Sequence, residues 1–151
     1  MTTRARIGGH PIHPMLVSFP IALWIFSLVA DVIYLALGNP IWRDWIAFYT
    51  LVGGIVGAVG AAFFGFIDWL TIQNRTVKSV AEWHARLNVI ALLIFVASFY
   101  LRTTSGSHMV AGGFKLPFVL SVVGVILINI SGWLGGELTV KYGMGLGLKS
   151  Q

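Results

Sequence analysis

Four runs of apolar residues constrain the fold of this chain more than any other feature. Each run has about 20 residues, which is the length that a helix needs to cross a bilayer. The runs are apolar on every side, whereas a surface helix of a soluble protein is apolar along one stripe. Charged residues make up only 10% of the chain, against about 25% in soluble domains. The sequence therefore predicts transmembrane spans at residues 15–37, 46–70, 83–101 and 116–134.

The segments between these runs are short, which predicts how the helices are arranged. Short loops make successive helices antiparallel neighbours. We expect one all-α domain over residues 1–151, an integral membrane bundle of four antiparallel helices. The composition argues against a soluble enzyme and a nucleic-acid-binding module. The absence of cysteine excludes disulfides, cysteine-ligated zinc and iron–sulfur clusters.

The distribution of basic residues predicts the orientation in the membrane. Loops on the cytoplasmic side carry an excess of Lys and Arg. Both termini are therefore expected in the cytoplasm, with the protein in the cell membrane, and the net charge of +5 implies no nucleic-acid partner. The N-terminal side carries Arg4, Arg6, Arg75, Lys78, Arg86, Lys141 and Lys149, and the opposite side carries Arg43, Arg102 and Lys115.

A double His-Pro motif, Gly9-His10-Pro11-Ile12-His13-Pro14, precedes the first span. A residue before proline is pushed away from the helical conformation and toward an extended or polyproline conformation. In a polyproline helix, with three residues per turn, His10 and His13 would lie on one side. Pro14 is suited to be the first helical residue. We expect His13 at the cytoplasmic mouth of the first span.

Other polar residues are predicted to join the histidines in one layer. His84 and Asn88 are four residues apart and share a helix face. Ionisable groups in membrane segments suggest function, although a satisfied layer of ion pairs and helix caps is the alternative interpretation. The layer would contain His10, His13, Asp68, His84, Arg86, Asn88 and Glu137.

The spacing of these residues also suggests an internal repeat. His13 opens span 1 and Asp68 closes span 2, and His84 and Glu137 stand in similar places in the second half. The chain would then be two copies of one helical hairpin, related by an axis along the membrane normal.

Two histidines on separate helices of a bundle can bind haem iron as axial ligands. We therefore predict a haem b site with His13 and His84 as ligands, His10 as an alternative ligand and Arg86 paired with a propionate. A single transition-metal ion held by the histidines with Asp68 and Glu137 is the alternative, as is no cofactor at all. In span 2, Gly57 and Gly65 would leave room for a flat cofactor, or would serve plain helix packing.

Two further polar residues lie outside this layer. His108, in a Ser/Gly-rich loop, is expected to be solvated. Asp31 lies inside span 1 and needs a partner, for which Arg102 or Tyr100 is available. A structural ion pair is the first interpretation, and a proton or ion path is the alternative.

Two motifs resemble those of a bacterial membrane-protein family known as domain of unknown function 2231. The first is Gly9-His10-Pro11-Ile12-His13-Pro14-Met15-Leu16-Val17 with Phe19-Pro20, and the second is Gly132-Trp133-Leu134-Gly135-Gly136-Glu137-Leu138 with Lys141-Tyr142-Gly143 and Gly145. The resemblance implies a redox context and an architecture similar to four-helix b-type cytochromes. Many members of that family have a histidine in place of Glu137, which weakens the case for an essential ligand there.

The sequence thus leads to three hypotheses of function. The first is a haem-binding electron-transfer protein or redox subunit, with a redox protein or quinone as partner. The second is a non-catalytic accessory or assembly subunit of a larger membrane complex or homo-oligomer. The third is a metal or proton transport unit. An electron carrier or accessory subunit is favoured over a stand-alone enzyme, and nothing in the sequence indicates a hydrolase, because no nucleophile–base pair or phosphate-binding loop is visible.

Overall fold

Four long helices form an antiparallel bundle in the computed structural model, which describes residues 5–104 and 115–145. All four are long and apolar enough to cross a membrane, as predicted. Arg4, His108 and Lys149, about which the sequence made predictions, lie outside the described residues. The elements are β1 (Arg6–Ile7), β2 (His10–Pro11), α1 (Ile12–Leu37), a π-helical segment (Trp42–Ala47) leading into α2 (Phe48–Trp69), α3 (Arg75–Thr103), α4 (Lys115–Gly136) and a second π-helical segment (Glu137–Lys141).

The N-terminal segment is a small β-hairpin, in which His10 has the extended conformation predicted for a residue before proline, whereas the same prediction is wrong for His13, which is helical. β1 pairs with β2 in antiparallel fashion, with Ile7 opposite His10. The turn consists of Gly8 and Gly9, both with positive φ, which is the backbone that a two-residue hairpin turn requires. His10 is therefore held in a strand, whereas His13 already belongs to α1.

Helices α1 and α3 both begin earlier than the sequence predicts. Pro14 lies in the first turn of α1 rather than at its first residue, where a missing N–H is tolerated because that donor has no helical acceptor. α3 begins at Arg75, in a stretch that was expected to be a loop. The side chain of Asn74 caps it by accepting hydrogen bonds from the amides of Thr76 and Val77, at 2.9 and 3.2 Å. This cap lets a polar segment extend the helix beyond the apolar span.

Close packing within each hairpin depends on glycines that face large side chains. The indole of Trp24 on α1 occupies the space that a Cβ on Gly54 of α2 would need. In the second hairpin, the ring of Phe95 on α3 stands in the same relation to Gly124 of α4. Trp24 and Phe95 then stack on each other across the bundle, with ring centroids 4.1 Å apart. Long side chains of the two hairpins therefore meet across the diagonal between α1 and α3, whereas the helices that pack side by side between the hairpins are α1 with α4 and α2 with α3.

These contacts show that the two hairpins are equivalent, as the predicted repeat requires. Residues of α1 correspond to residues of α3 that lie 71 positions later, the separation between Asp31 and Arg102. Residues of α2 correspond to residues of α4 that lie 70 positions later, as with Gly54 and Gly124. The register is thus shifted from the predicted one, because Asp68 corresponds to Leu138 rather than to Glu137. The equivalent pairs are His13/His84, Trp24/Phe95, Ser27/Ser98, Gly54/Gly124 and Gly65/Gly135.

A buried ion pair joins the hairpins at the end of the bundle away from His13. The guanidinium of Arg102 donates two hydrogen bonds to the carboxylate of Asp31, at 3.0 and 2.5 Å. Both side chains are almost fully buried, and the hydroxyls of Ser98 and Ser121 lie 3.4 and 3.5 Å from the guanidinium. The structure confirms Arg102 as the partner predicted for Asp31.

Breaking this pair should destabilise the bundle strongly. Arg102→Leu leaves the buried carboxylate of Asp31 without its partner, so we expect the free energy of unfolding to fall by about 3–5 kcal/mol. The exchange Asp31→Arg with Arg102→Asp should recover most of that loss, because the two positions are equivalent. The measurement is thermal unfolding in detergent, followed by circular dichroism. Equal stability of the single variant and the exchange variant would contradict this expectation.

Candidate functional site: a histidine pair across the bundle

His13 lies in the first turn of α1 and points at the end of α2. Its Nδ1 lies 2.7 Å from the carbonyl oxygen of Ala61. A carbonyl only accepts, so Nδ1 carries the proton in this contact and Nε2 is left with its lone pair. The antiparallel order of α1 and α2 accounts for the placement, since the start of one helix meets the end of the other.

His84 repeats this arrangement in the second hairpin. Its Nδ1 lies 2.8 Å from the carbonyl oxygen of Ser131 on α4. The hydroxyl of Ser131 donates to the carbonyl oxygen of His84 at 3.0 Å, which ties the two helices together at this level. The amide nitrogen of Asn88, one turn along α3, lies 3.1 Å from Nε2 of His84. As predicted, His84 and Asn88 share a helix face.

The two imidazoles, one from each hairpin, lie close together in a T-shaped arrangement. Their ring centroids are 6.2 Å apart and their planes are inclined at 89°. Both rings are partly buried. The predicted meeting of His13 and His84 is therefore present in the structure.

Glycines on α2 and α4 make room for the two rings. A Cβ on Gly65 would lie 2.8 Å from the ring of His13, and one on Gly135 would lie 3.1 Å from the ring of His84. Gly57, by contrast, faces the ring of Pro20, with 3.3 Å from a Cβ at that position to Cδ. In this structure Gly65 therefore receives a histidine and Gly57 allows close packing of α1 on α2.

The predicted carboxylates do not gather around the histidines. Asp68 is buried and accepts a hydrogen bond from the amide of Ala5, at 3.2 Å. Glu137 lies 3.8 Å from the amine of Lys141 on its own helical turn. Within the described ranges, no three His, Asp or Glu side chains are grouped so that they could hold a metal ion. The chemistry at this site therefore depends on two imidazoles.

Two other residues of the predicted layer lie at the surface. Arg86 is exposed, with its guanidinium 3.9 Å from the carboxylate of Glu82 and 5.3 Å from the ring centroid of Trp83. His10 is exposed in β2. Neither contacts the pair formed by His13 and His84 in the described structure.

Sequence reasoning missed the groups that orient the imidazoles, Ala61 and Ser131. Backbone carbonyls leave no signature in a sequence. The pair Gly65 and Gly135 was the available signal, because each glycine follows its carbonyl residue by four positions and faces the same histidine.

The comparisons with known proteins identify the family. The family model described as a predicted membrane protein, domain of unknown function 2231, matches residues 9–147. The chain belongs to this family. No curated protein and no solved structure matches this chain.

In this member of domain of unknown function 2231, a hydrogen bond fixes the orientation of each imidazole of the histidine pair. Each Nδ1 is fixed by a carbonyl oxygen, at 2.7 and 2.8 Å. Histidines that bind metals usually donate their other ring N–H in this way, which fixes the tautomer and the ring orientation. Nε2 of His13 therefore keeps its lone pair, whereas Nε2 of His84 lies against the amide nitrogen of Asn88 at 3.1 Å.

The space that Gly65 provides for His13 can be tested by a matched pair of substitutions. Gly65→Ala should lower the free energy of unfolding by about 1–3 kcal/mol, because its Cβ would overlap the ring of His13. Gly60→Ala on the same helix should not destabilise, because nothing lies within 4 Å of a Cβ there and alanine favours helix by about 1 kcal/mol. The measurement is the midpoint of thermal unfolding in detergent. Equal effects of the two substitutions would contradict the packing described here.

Proposed function

We propose that this protein is a small redox protein of the membrane that holds one haem b between His13 and His84. The observation that carries the proposal is the geometry of the pair. Each metal–nitrogen bond to histidine is about 2 Å long, so two imidazoles that bound one iron would need ring centroids within about 6 Å of each other. The centroids of His13 and His84 are 6.2 Å apart.

The donor set fits haem better than it fits a lone metal ion. Haem iron already has four nitrogens from its macrocycle and takes one or two axial ligands from the protein. A transition-metal ion held by protein alone draws three or four side-chain ligands. The described residues supply two. When bound, the haem would supply reversible one-electron chemistry, which fits an electron carrier rather than a stand-alone enzyme.

The remaining residues of the site would hold and shield the ligands. The carbonyls of Ala61 and Ser131 keep each Nδ1 protonated and each ring in place. Asn88 lies against Nε2 of His84, so its amide has to turn aside before that nitrogen can bind iron. Trp24 and Phe95 close the centre of the bundle deeper in the span, which would keep water from the membrane interior.

The distribution of basic residues supports an orientation for this proposal. With the histidine end at the cytoplasmic face of the bacterial inner membrane, Arg75, Lys78, Arg86 and Lys141 would lie on the side where the positive-inside rule places Lys and Arg. A cytoplasmic redox protein or a quinone at the membrane interface would then be the exchange partner.

Haem titration followed by absorbance tests the proposal. The purified protein, refolded or expressed with haem supplied, should show a reduced-minus-oxidised spectrum typical of a b-type cytochrome. His13→Ala and His84→Ala should each weaken haem binding by more than about 100-fold, since even the loss of a group that orients a metal ligand costs about 10–100-fold.

His10→Ala is the matched control, because His10 is exposed in β2 and lies away from the pair. It should leave the spectrum and the affinity unchanged. A flat spectrum with the folded protein, or His13→Ala and His84→Ala variants that bind haem as tightly as the unmodified protein, would overturn the proposal.

A further inference from the structure

One polar side chain stands on the outer surface of the bundle at membrane depth. Asn129 lies near the middle of the 27-residue span Lys115–Lys141, and its side chain is exposed. Its Nδ2 donates to the carbonyl oxygen of Val125 at 2.8 Å. This contact uses one N–H, and no described residue donates to Oδ1 or accepts from the second N–H. In lipid these groups have no water to bind, and asparagine side chains in membrane helices hydrogen-bond across helix interfaces.

The helix face around Asn129 would allow another helix to come close. Gly132 and Gly136 lie three and seven residues further along α4, on the same side as Asn129, and both are exposed. Nothing lies within 4 Å of a Cβ at either glycine. Two glycines four residues apart let membrane helices approach closely.

The internal repeat provides a comparison for this surface within the same molecule. Because residues of α4 correspond to those of α2, the places of Asn129, Gly132 and Gly136 are taken on α2 by Val59, Ala62 and Phe66. Val59 and Phe66 are 56% and 59% exposed, so they are lipid-facing apolar residues of the ordinary kind. The polar, small-residue face is therefore specific to α4 and is not required by the fold of the hairpin.

We propose that this face of α4, formed by Asn129, Gly132 and Gly136, is the contact between two copies of this chain. A carboxamide is both a donor and an acceptor. A residue that lies next to a two-fold axis along the membrane normal meets its own copy. With Asn129 next to that axis, each Asn129 donates its second N–H to Oδ1 of the other. This satisfies the groups that lipid leaves without partners, and it needs no protein other than a second copy.

Oxidative cross-linking in the membrane tests the contact, because the chain contains no cysteine of its own. Gly132→Cys places a thiol on the proposed contact and leaves Asn129 in place. Ala62→Cys, at the equivalent exposed position of α2, is the matched control. With a membrane-permeant oxidant, Gly132→Cys should give a disulfide-linked dimer of this chain, and Ala62→Cys should give little.

The contribution of Asn129 is measured by adding Asn129→Leu to the Gly132→Cys variant. Hydrogen bonds between membrane helices are modest in strength, so dimerisation should weaken by about threefold or more. Native mass spectrometry of the unmodified chain, released from detergent, measures the oligomeric state without any substitution, and a dimer is expected.

The proposal would be overturned by equal cross-linking at Gly132→Cys and Ala62→Cys, or by an unmodified chain that native mass spectrometry detects only as a monomer. Cross-linking to a different protein would replace the second copy with that partner and so contradict the proposal. An unchanged dimer in the Asn129→Leu variant would show that the amide does not make the contact.

Discussion

The helices of this protein cannot be held together by the exclusion of apolar groups from water, because lipid tails are as apolar as leucine. The buried ion pair of Asp31 and Arg102 provides an attraction between helices that lipid does not provide, since either charge would be strongly destabilising if it were buried without its partner. The two residues stand at equivalent positions of the two hairpins. Two identical hairpins would bring together two carboxylates or two guanidinium groups. The pair therefore selects the pairing of two unlike halves and sets the register of α1 against α3.

The position of the histidines follows from that register. His13 and His84 each lie 18 residues before their member of the ion pair, which is about 27 Å along a helix. Because the Asp31–Arg102 pair aligns α1 with α3 at one end of the bundle, the two imidazoles lie at the same level along these helices at the other end. The stack of Trp24 on Phe95 lies between the two pairs. One set of diagonal contacts thus makes both the structural core and the candidate site.

Much of the fold was predictable because lipid imposes strong rules. Apolar runs indicate the four spans, and a buried Asp31 demands a cationic partner within reach. The ends of the helices were harder to predict from the sequence, since the start of α3 depends on the cap at Asn74. The β-hairpin was not predicted, because the prediction for this segment rested on the neighbouring prolines, whereas the turn is formed by Gly8 and Gly9 with positive φ.

The candidate site was predictable only in part, for a reason of helix geometry. The antiparallel order brings the starts of α1 and α3 to one level, so the meeting of His13 and His84 follows from the sequence. A shift of one residue turns a side chain by about 100° around a helix. The repeat places Leu138, and not Glu137, at the position equivalent to Asp68. The symmetric pair of carboxylates is lost through that single residue.

Electron paramagnetic resonance of the oxidised, haem-loaded protein tests most directly whether His13 and His84 act as one pair of ligands. The account predicts a low-spin ferric signal, because two imidazoles bind the iron. It also predicts that His13→Ala and His84→Ala each convert this signal to high spin. A high-spin signal from the unmodified protein, or a low-spin signal that survives either substitution, would contradict it.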